Sequence, residues 1–242
     1  MLKRDPFYGT IWACLTAAAL LAAFMPATAA LPAPSEPAAP LIIEHGDRGT
    51  SVALTFDACP TGRPDEYDSA LIDLLLRENV HATLFLSGRW VEKNPDKAKF
   101  IALQPQFEIG AHSFYHPHLL EKDDARVLRE MKRTQAIIQK ITGKTPRWFR
   151  PPYGEVDERV ARIAKQAGLT TIQYDIASGD PDESLTAERI ARNVLRHAQG
   201  GSIIVFHMNT RGVHTAEALP MIIKGLREKG FKLVTVGDLL EK

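Results

Sequence analysis

Two imidazoles four residues apart dominate the chemistry on offer in this chain. In His112-Ser113-Phe114-Tyr115-His116-Pro117 the spacing is about one helical turn, which lets His112 and His116 reach a single divalent cation. Two surface histidines on a loop are the plain alternative, because an HxxxH pair alone is common. His118 adds a third imidazole, read as a solvated neighbour. Asp57 closes the apolar run Val52–Phe56. A carboxylate placed there can serve as general base or as a metal ligand, or it can simply cap a turn. Arg150 opens Arg150-Pro151-Pro152-Tyr153-Gly154, a loop stiffened by prolines whose guanidinium can fork onto a carboxylate. His207 ends Ile203–Phe206 and suits either a general acid near neutral pH or a satisfied core histidine. His214, in Arg211-Gly212-Val213-His214-Thr215, is a substrate contact or a helix-flanking surface residue.

Short apolar runs alternate with stretches at helical spacing around these residues. Strands are expected at 52–56, 82–86, 107–111, 148–149, 170–176, 202–206 and 231–236. Helices are expected at 65–78, 95–103, 122–141, 157–167, 186–198 and 215–229, with Gly168 and Gly230 placed to end two of them. Such alternation implies an α/β fold with parallel strands inside and helices outside. An open doubly wound sheet and a barrel both satisfy it. In either, the C-terminal strand ends share one face, and the polar residues after successive strands converge on one mouth.

Composition narrows the class. The chain has 242 residues, 45% apolar and 24% charged, with 30 basic residues against 29 acidic ones. That excludes a disordered or collagen-like chain, and without a basic block nucleic acid is not an expected partner. Lys3 and Arg4 precede an uncharged apolar stretch, residues 11–25, followed by Ala27-Thr28-Ala29. The stretch is shorter than the roughly 20 residues of a membrane span and has the form of a secretory signal peptide, with an uncleaved anchor as the alternative. The expected organisation is a signal peptide at 1–30, a Pro-rich linker at 31–41 and one domain at 42–242, secreted or periplasmic, with no stable membrane span after cleavage. Cleavage would leave Cys59 as the sole cysteine, so no internal disulfide is available.

Taken in order, Thr55-Phe56-Asp57, HSxxHP at 112–117, RPPYG at 150–154, a polar strand end at 174–180 and Ile204-Val205-Phe206-His207 resemble the polysaccharide deacetylases of carbohydrate esterase family 4, the NodB homology domain. The resemblance runs from about Ser51 to Leu240. It implies a distorted β/α barrel of about seven mostly parallel strands and a hydrolase that removes acetyl groups from N-acetylated amino-sugar polymers or oligomers, peptidoglycan or chitin-like. It also implies a divalent cation, zinc foremost, with cobalt, manganese or nickel as alternatives. By resemblance Asp57 is the catalytic base, His112 and His116 bind the metal, Arg150 orients the base and His207 is the acid. Pro152, Tyr153 and His214 lie where substrate is met, and the backbone N–H near Tyr153 would face the developing oxyanion.

Two positions depart from the family pattern. The second acid of the first motif, a metal ligand, is replaced by Ala58. The acid that holds the catalytic histidine falls on Ala177, which leaves Asp175 as the expected catalytic partner of His207, while Asp180 matches a later acid. For the missing ligand three solutions stand: Asp57 joins the metal, Cys59 or His214 supplies a donor, or two histidines and water suffice. Extension through Ala58 puts Cys59 on the opposite strand face from it, which favours His112 and His116 with Asp57 near or on the metal. A non-catalytic carbohydrate-binding module on the same fold, or hydrolysis of O-acetyl esters or a non-sugar amide, are the competing functions.

Overall fold

The computed structural model describes residues 41–47, 49–60 and 67–241. The expected signal peptide lies outside the described residues, as does the expected linker apart from Leu41.

Among the described residues nine strands form one sheet: β1 (Ile42–Ile43), β2 (Ser51–Ala58), β3 (Ala82–Leu86), β4 (Phe107–Ala111), β5 (Trp148–Phe149), β6 (Thr170–Ile172), β7 (Ile176–Ala177), β8 (Ile203–His207) and β9 (Lys232–Val234). Their order is β1-β6-β5-β4-β3-β2-β8-β7, with β9 pairing β2, and every pairing is parallel. The run expected as one strand at 170–176 is two. Its first half pairs with β5 and β1 and its second with β8, and Gln173 N and Asp175 N donate to Ile43 O and Ile203 O respectively. One short stretch of chain therefore links β6, which lies beside the edge strand β1, to β7 at the opposite edge. The sheet is bent into a distorted, incompletely closed β/α barrel, the alternative that periodicity alone left level with an open sheet.

The helices are α1 (Ser69–Arg77), α2 (Gly88–Lys93), α3 (Pro95–Ala102), α4 (Asp124–Thr142), α5 (Glu158–Gln166), α6 (Ala187–His197), α7 (Thr215–Glu228) and α8 (Val236–Leu240). Side-chain oxygens of Asp68, Asp123, Asp157 and Thr186 accept from first-turn N–H groups of α1, α4, α5 and α6, which fixes those starts. Gly168 and Gly230 sit at φ 79° and 84° just past α5 and α7, as their sequence positions suggested. Two short helices, α2 and α8, were not expected. The expected strand at 231–236 runs into α8, where Thr235 caps the turn. None of the described helices is long and apolar enough to cross a membrane.

Strand alternation divides the interior in two. Val52, Leu54, Phe56 and Ala58 join Leu84, Ile109, Phe149 and Phe206 in the layer under the helices. Ala53, Phe85, Trp148, Ile172 and Ile203 form the barrel interior, with Val236 of α8 against them. Residues of opposite parity thus face opposite layers. Gly110 lies opposite Phe85 in the β3–β4 register, and a Cβ there would fall 2.5 Å from a Phe85 ring carbon. Gly110→Ala is expected to destabilise the protein by about 1–3 kcal/mol through overpacking. An unchanged denaturation midpoint in urea would contradict this account of the interior.

Candidate active site

The inner-face parity carries the chemistry to the mouth. After Ala53 and Thr55 on β2 come Asp57 and then Cys59; after Phe85 on β3 comes Ser87; Gly110 on β4 is followed by His112, Trp148 on β5 by Arg150, and Val205 on β8 ends at His207. Asp57, Cys59, His112, His116, Tyr153, Asp180 and His207 line one cleft of ≈ 260 Å³.

Arg150 is completely buried beneath that cleft. One Nη donates to Thr55 Oγ1 at 2.7 Å and to Asp57 Oδ1 at 3.0 Å, the other to Gln173 O at 3.2 Å, and the guanidinium lies 4.2 Å from the Phe85 ring centroid. Burial pushes the Asp57 carboxyl up, but Arg150, His112 and His207 outweigh it and hold it below its ordinary value. Asp57 is therefore an anion with one oxygen restrained and the other, Oδ2, 3.8 Å from His112 Nε2.

His112 Nδ1 is 2.8 Å from the main-chain oxygen of Arg150. A carbonyl only accepts, so Nδ1 carries the proton and Nε2 is turned toward the cleft. There it meets Cys59 Sγ at 3.5 Å. Donor atoms of Cys59, His112 and His116 lie within 4.8 Å of one another, and all three residues are buried. Burial pushes the Cys59 thiol up, but charge on His112 and bonds from His112, His116 and His207 hold it well below the usual thiol range. The Asp57 carboxylate and a thiol of lowered pKa thus both favour positive charge at this point.

His207 stands opposite Asp57 in the β2–β8 register. Its Nδ1 is 3.0 Å from Asp180 Oδ1, while Asp180 Oδ2 accepts from His207 N at 2.6 Å and from Thr215 Oγ1 at 2.7 Å. Burial lowers the His207 pKa, yet the bond from Asp180 and the Cys59 sulfur dominate and push it up to about 10.

Several sequence expectations are corrected here. Asp175 does not reach His207. Its carboxylate accepts from Ser202 Oγ and Ile203 N at the strand edge, and Asp180 occupies the place beside the imidazole. Cys59 does lie opposite Ala58, but Ala58 faces the helices, so opposite means into the mouth with Asp57. Asp57 stands beside the Cys–His–His donor group, with Oδ1 bonded to Arg150 and Oδ2 3.8 Å from His112 Nε2. His214 does not line the cleft and bonds Glu217 in the first turn of α7 at 3.2 Å. Pro152 is buried, and its neighbours Pro151 and Tyr153 face the cleft instead. His118 is exposed, as expected of a solvated neighbour, with its ring stacked on Tyr153 at 4.1 Å and bonded to Glu155.

Sequence reasoning missed Glu130. Its Oε2 accepts from Phe114 N at 2.9 Å and Tyr115 N at 2.8 Å, inside the loop that carries both histidines, and Arg126 bonds its Oε1. Ser113 and His116 take φ of 56° and 59°, left-handed values that cost about 1–3 kcal/mol each and need such restraint. The available signal was an acid within the buried stripe Val127, Glu130, Met131, Thr134 and Ile138 of α4.

A β/α barrel that gathers a carboxylate, three imidazoles and a thiol at the C-terminal ends of its strands is built as an enzyme site. The polysaccharide deacetylase family model matches residues 45–172, and the chain belongs to that family. It is 33% identical over 193 residues to a peptidoglycan-N-acetylglucosamine deacetylase of Bacillus cereus, covering 78% of this chain and 68% of that one. Among solved structures it matches a peptidoglycan N-acetylglucosamine deacetylase with a TM-score of 0.77 at 30% identity, over 84% of this chain and 94% of the other. It also matches a CE4 family pseudoenzyme from Bacillus anthracis with a TM-score of 0.76 at 29% identity, over 84% and 70%.

Glu130→Ala is expected to cost about 1–3 kcal/mol by stranding two loop N–H groups. Glu130→Gln, which keeps an acceptor oxygen, should lose less. Equal urea midpoints for the wild type and Glu130→Ala would remove Glu130 from this role.

Proposed function

We propose that this protein is an exported, metal-dependent hydrolase that removes acetyl groups from N-acetylated amino sugars in a polymer such as peptidoglycan. The observation that carries the reading is the opposed pair Asp57 and His207, each held by a partner of opposite charge across one cleft. Export rests on the form of residues 1–30 alone. The substrate class rests on the similarity to peptidoglycan deacetylases.

The donor set fits a divalent cation. Two buried imidazoles and a thiol converge, the tautomer of His112 presents Nε2 to them, and such nitrogen and sulfur donors suit zinc. His112 and His116 would hold the ion, which supplies Lewis acidity toward an acetyl carbonyl when bound. Asp57, ionised and aimed by Arg150, takes a proton from the attacking water through Oδ2. The water oxygen bonds to the carbonyl carbon, and the C–N bond breaks as the amide is resolved. His207, with Nδ1 held by Asp180, donates its other ring proton to the departing sugar nitrogen. Acetate and a free amine result. Tyr153, at φ 59° in the cleft wall, would turn its backbone N–H to the oxyanion. Its half-exposed ring is suited to a sugar face.

The similarity to a pseudoenzyme and the alanine at position 58 favour a second reading, a carbohydrate-binding module without turnover. Acetate release from peptidoglycan, N-acetylglucosamine oligomers and acetylated xylan separates the two. Wild-type protein is expected to release acetate from the N-acetylated substrates. Asp57→Asn and His207→Asn should each slow it by about 10²–10⁴-fold. Asp180→Asn should lower the rate strongly, whereas Asp175→Asn should act on stability. Binding to these glycans with no acetate released under any divalent metal would establish the module instead.

A further inference from the structure

We propose that the Cys59 thiolate is the third protein ligand of the divalent cation, replacing the acid absent at position 58 with a sulfur donor one residue further along. This rests on the metal-dependent reading above and specifies its site. Three independent observations support it.

The first is strand parity. The methyl group of Ala58 packs in the layer beneath the helices and offers no donor, while Asp57 and Cys59 both line the cleft. Asp57 is restrained by Arg150, which leaves Cys59 as the β2-side donor nearest the imidazoles. The second is distance. With metal–nitrogen bonds of about 2.0–2.1 Å and a metal–sulfur bond of about 2.3 Å, tetrahedral ligation separates sulfur from nitrogen by about 3.5 Å. Cys59 Sγ lies 3.5 Å from His112 Nε2. The third is preorganisation. The main chain around Cys59 is fastened on both sides: Ser87 Oγ donates to Ala58 O at 2.8 Å, Asn209 Nδ2 to Cys59 O at 2.6 Å and Met208 N to Asp57 O at 3.1 Å. A sulfur held this way needs no rearrangement to bind. Two histidines and one cysteine leave the fourth position open to the cleft, the arrangement a catalytic ion requires.

A thiol this close to imidazoles can instead be a nucleophile. Its sulfur would then bond to the acetyl carbon, expel the amine and await hydrolysis as a thioester. The two roles leave different marks, so the test does not depend on activity.

The experiment is the electronic absorption of the cobalt(II)-loaded protein. The wild type is expected to show a near-ultraviolet thiolate-to-cobalt charge-transfer band together with visible ligand-field bands. Cys59→Ser and Cys59→Asp should bind cobalt without the charge-transfer band, and Cys59→Ala should bind zinc about tenfold or more weakly in competition with a chelator. Cobalt bound to the wild type with no charge-transfer band, or with a band that persists in Cys59→Ser, overturns the proposal. So does an acetylated Cys59 peptide in the mass spectrum of protein quenched during turnover. A wild type that binds cobalt, releases acetate and lacks the band refutes sulfur ligation alone. One that binds no divalent ion refutes the metal-dependent reading as well.

Discussion

The site depends on a single buried cation. Arg150 is removed from water entirely, and an uncompensated charge in such a place costs several kcal/mol. Its partners are therefore obligatory: Asp57, Thr55 and the carbonyl of Gln173 come from β2 and from the segment that joins β6 to β7. The Phe85 ring beneath it adds a cation–π contact. Arg150 acts through its main chain as well, since its carbonyl sets the tautomer of His112. One residue thus aims the carboxylate with its side chain and an imidazole with its backbone. Any shift that moves β5 relative to β2 and β4 disturbs both together.

The barrel can accommodate that cation because its interior is graded. At the lower end Trp148 Nε1 donates to Glu108 Oε1, and Thr83 and Gly237 N donate to Glu108 Oε2. Phe85 fills the middle, and Arg150, Asp57 and His112 occupy the top. Each is an inner-face residue of a parallel strand, so the same two-residue period that packs Leu54, Phe56 and Ile204 under the helices lifts polar groups toward the cleft. Fold and site are two readings of one alternation.

That alternation also marks how far the sequence could be read. Strands 82–86, 107–111 and 148–149 are where the apolar runs placed them, and the helix ends agree within a few residues, because caps and glycines act locally. Asp57, His112, Arg150 and His207 were legible from their positions at strand ends. The partner of His207 was not, since Asp175 and Asp180 differ only in where a bend directs the chain, and that bend is set by pairing with β8, distant in sequence. The side of Cys59 is legible once the two-residue period is counted from Asp57, which defines the mouth, and not from Ala58. Helices α2 and α8 lacked the length to show a periodic pattern, and Glu130 requires knowing that α4 covers the histidine loop.

Opposite charges in the two flanking partners let one cleft hold an anion and a cation at the same pH. Asp57 and His207 stand opposite each other on adjacent strands, and both line the cleft. The Arg150 guanidinium favours the Asp57 anion, and the Asp180 carboxylate favours the His207 cation. The two environments drive the pKa values apart, so Asp57 stays unprotonated while His207 stays protonated. Exchanging either partner for a neutral residue would weaken that separation from one side only. At Arg150 the exchange would also leave Thr55 and the Gln173 carbonyl without their buried donor, so the floor of the cleft would shift with it.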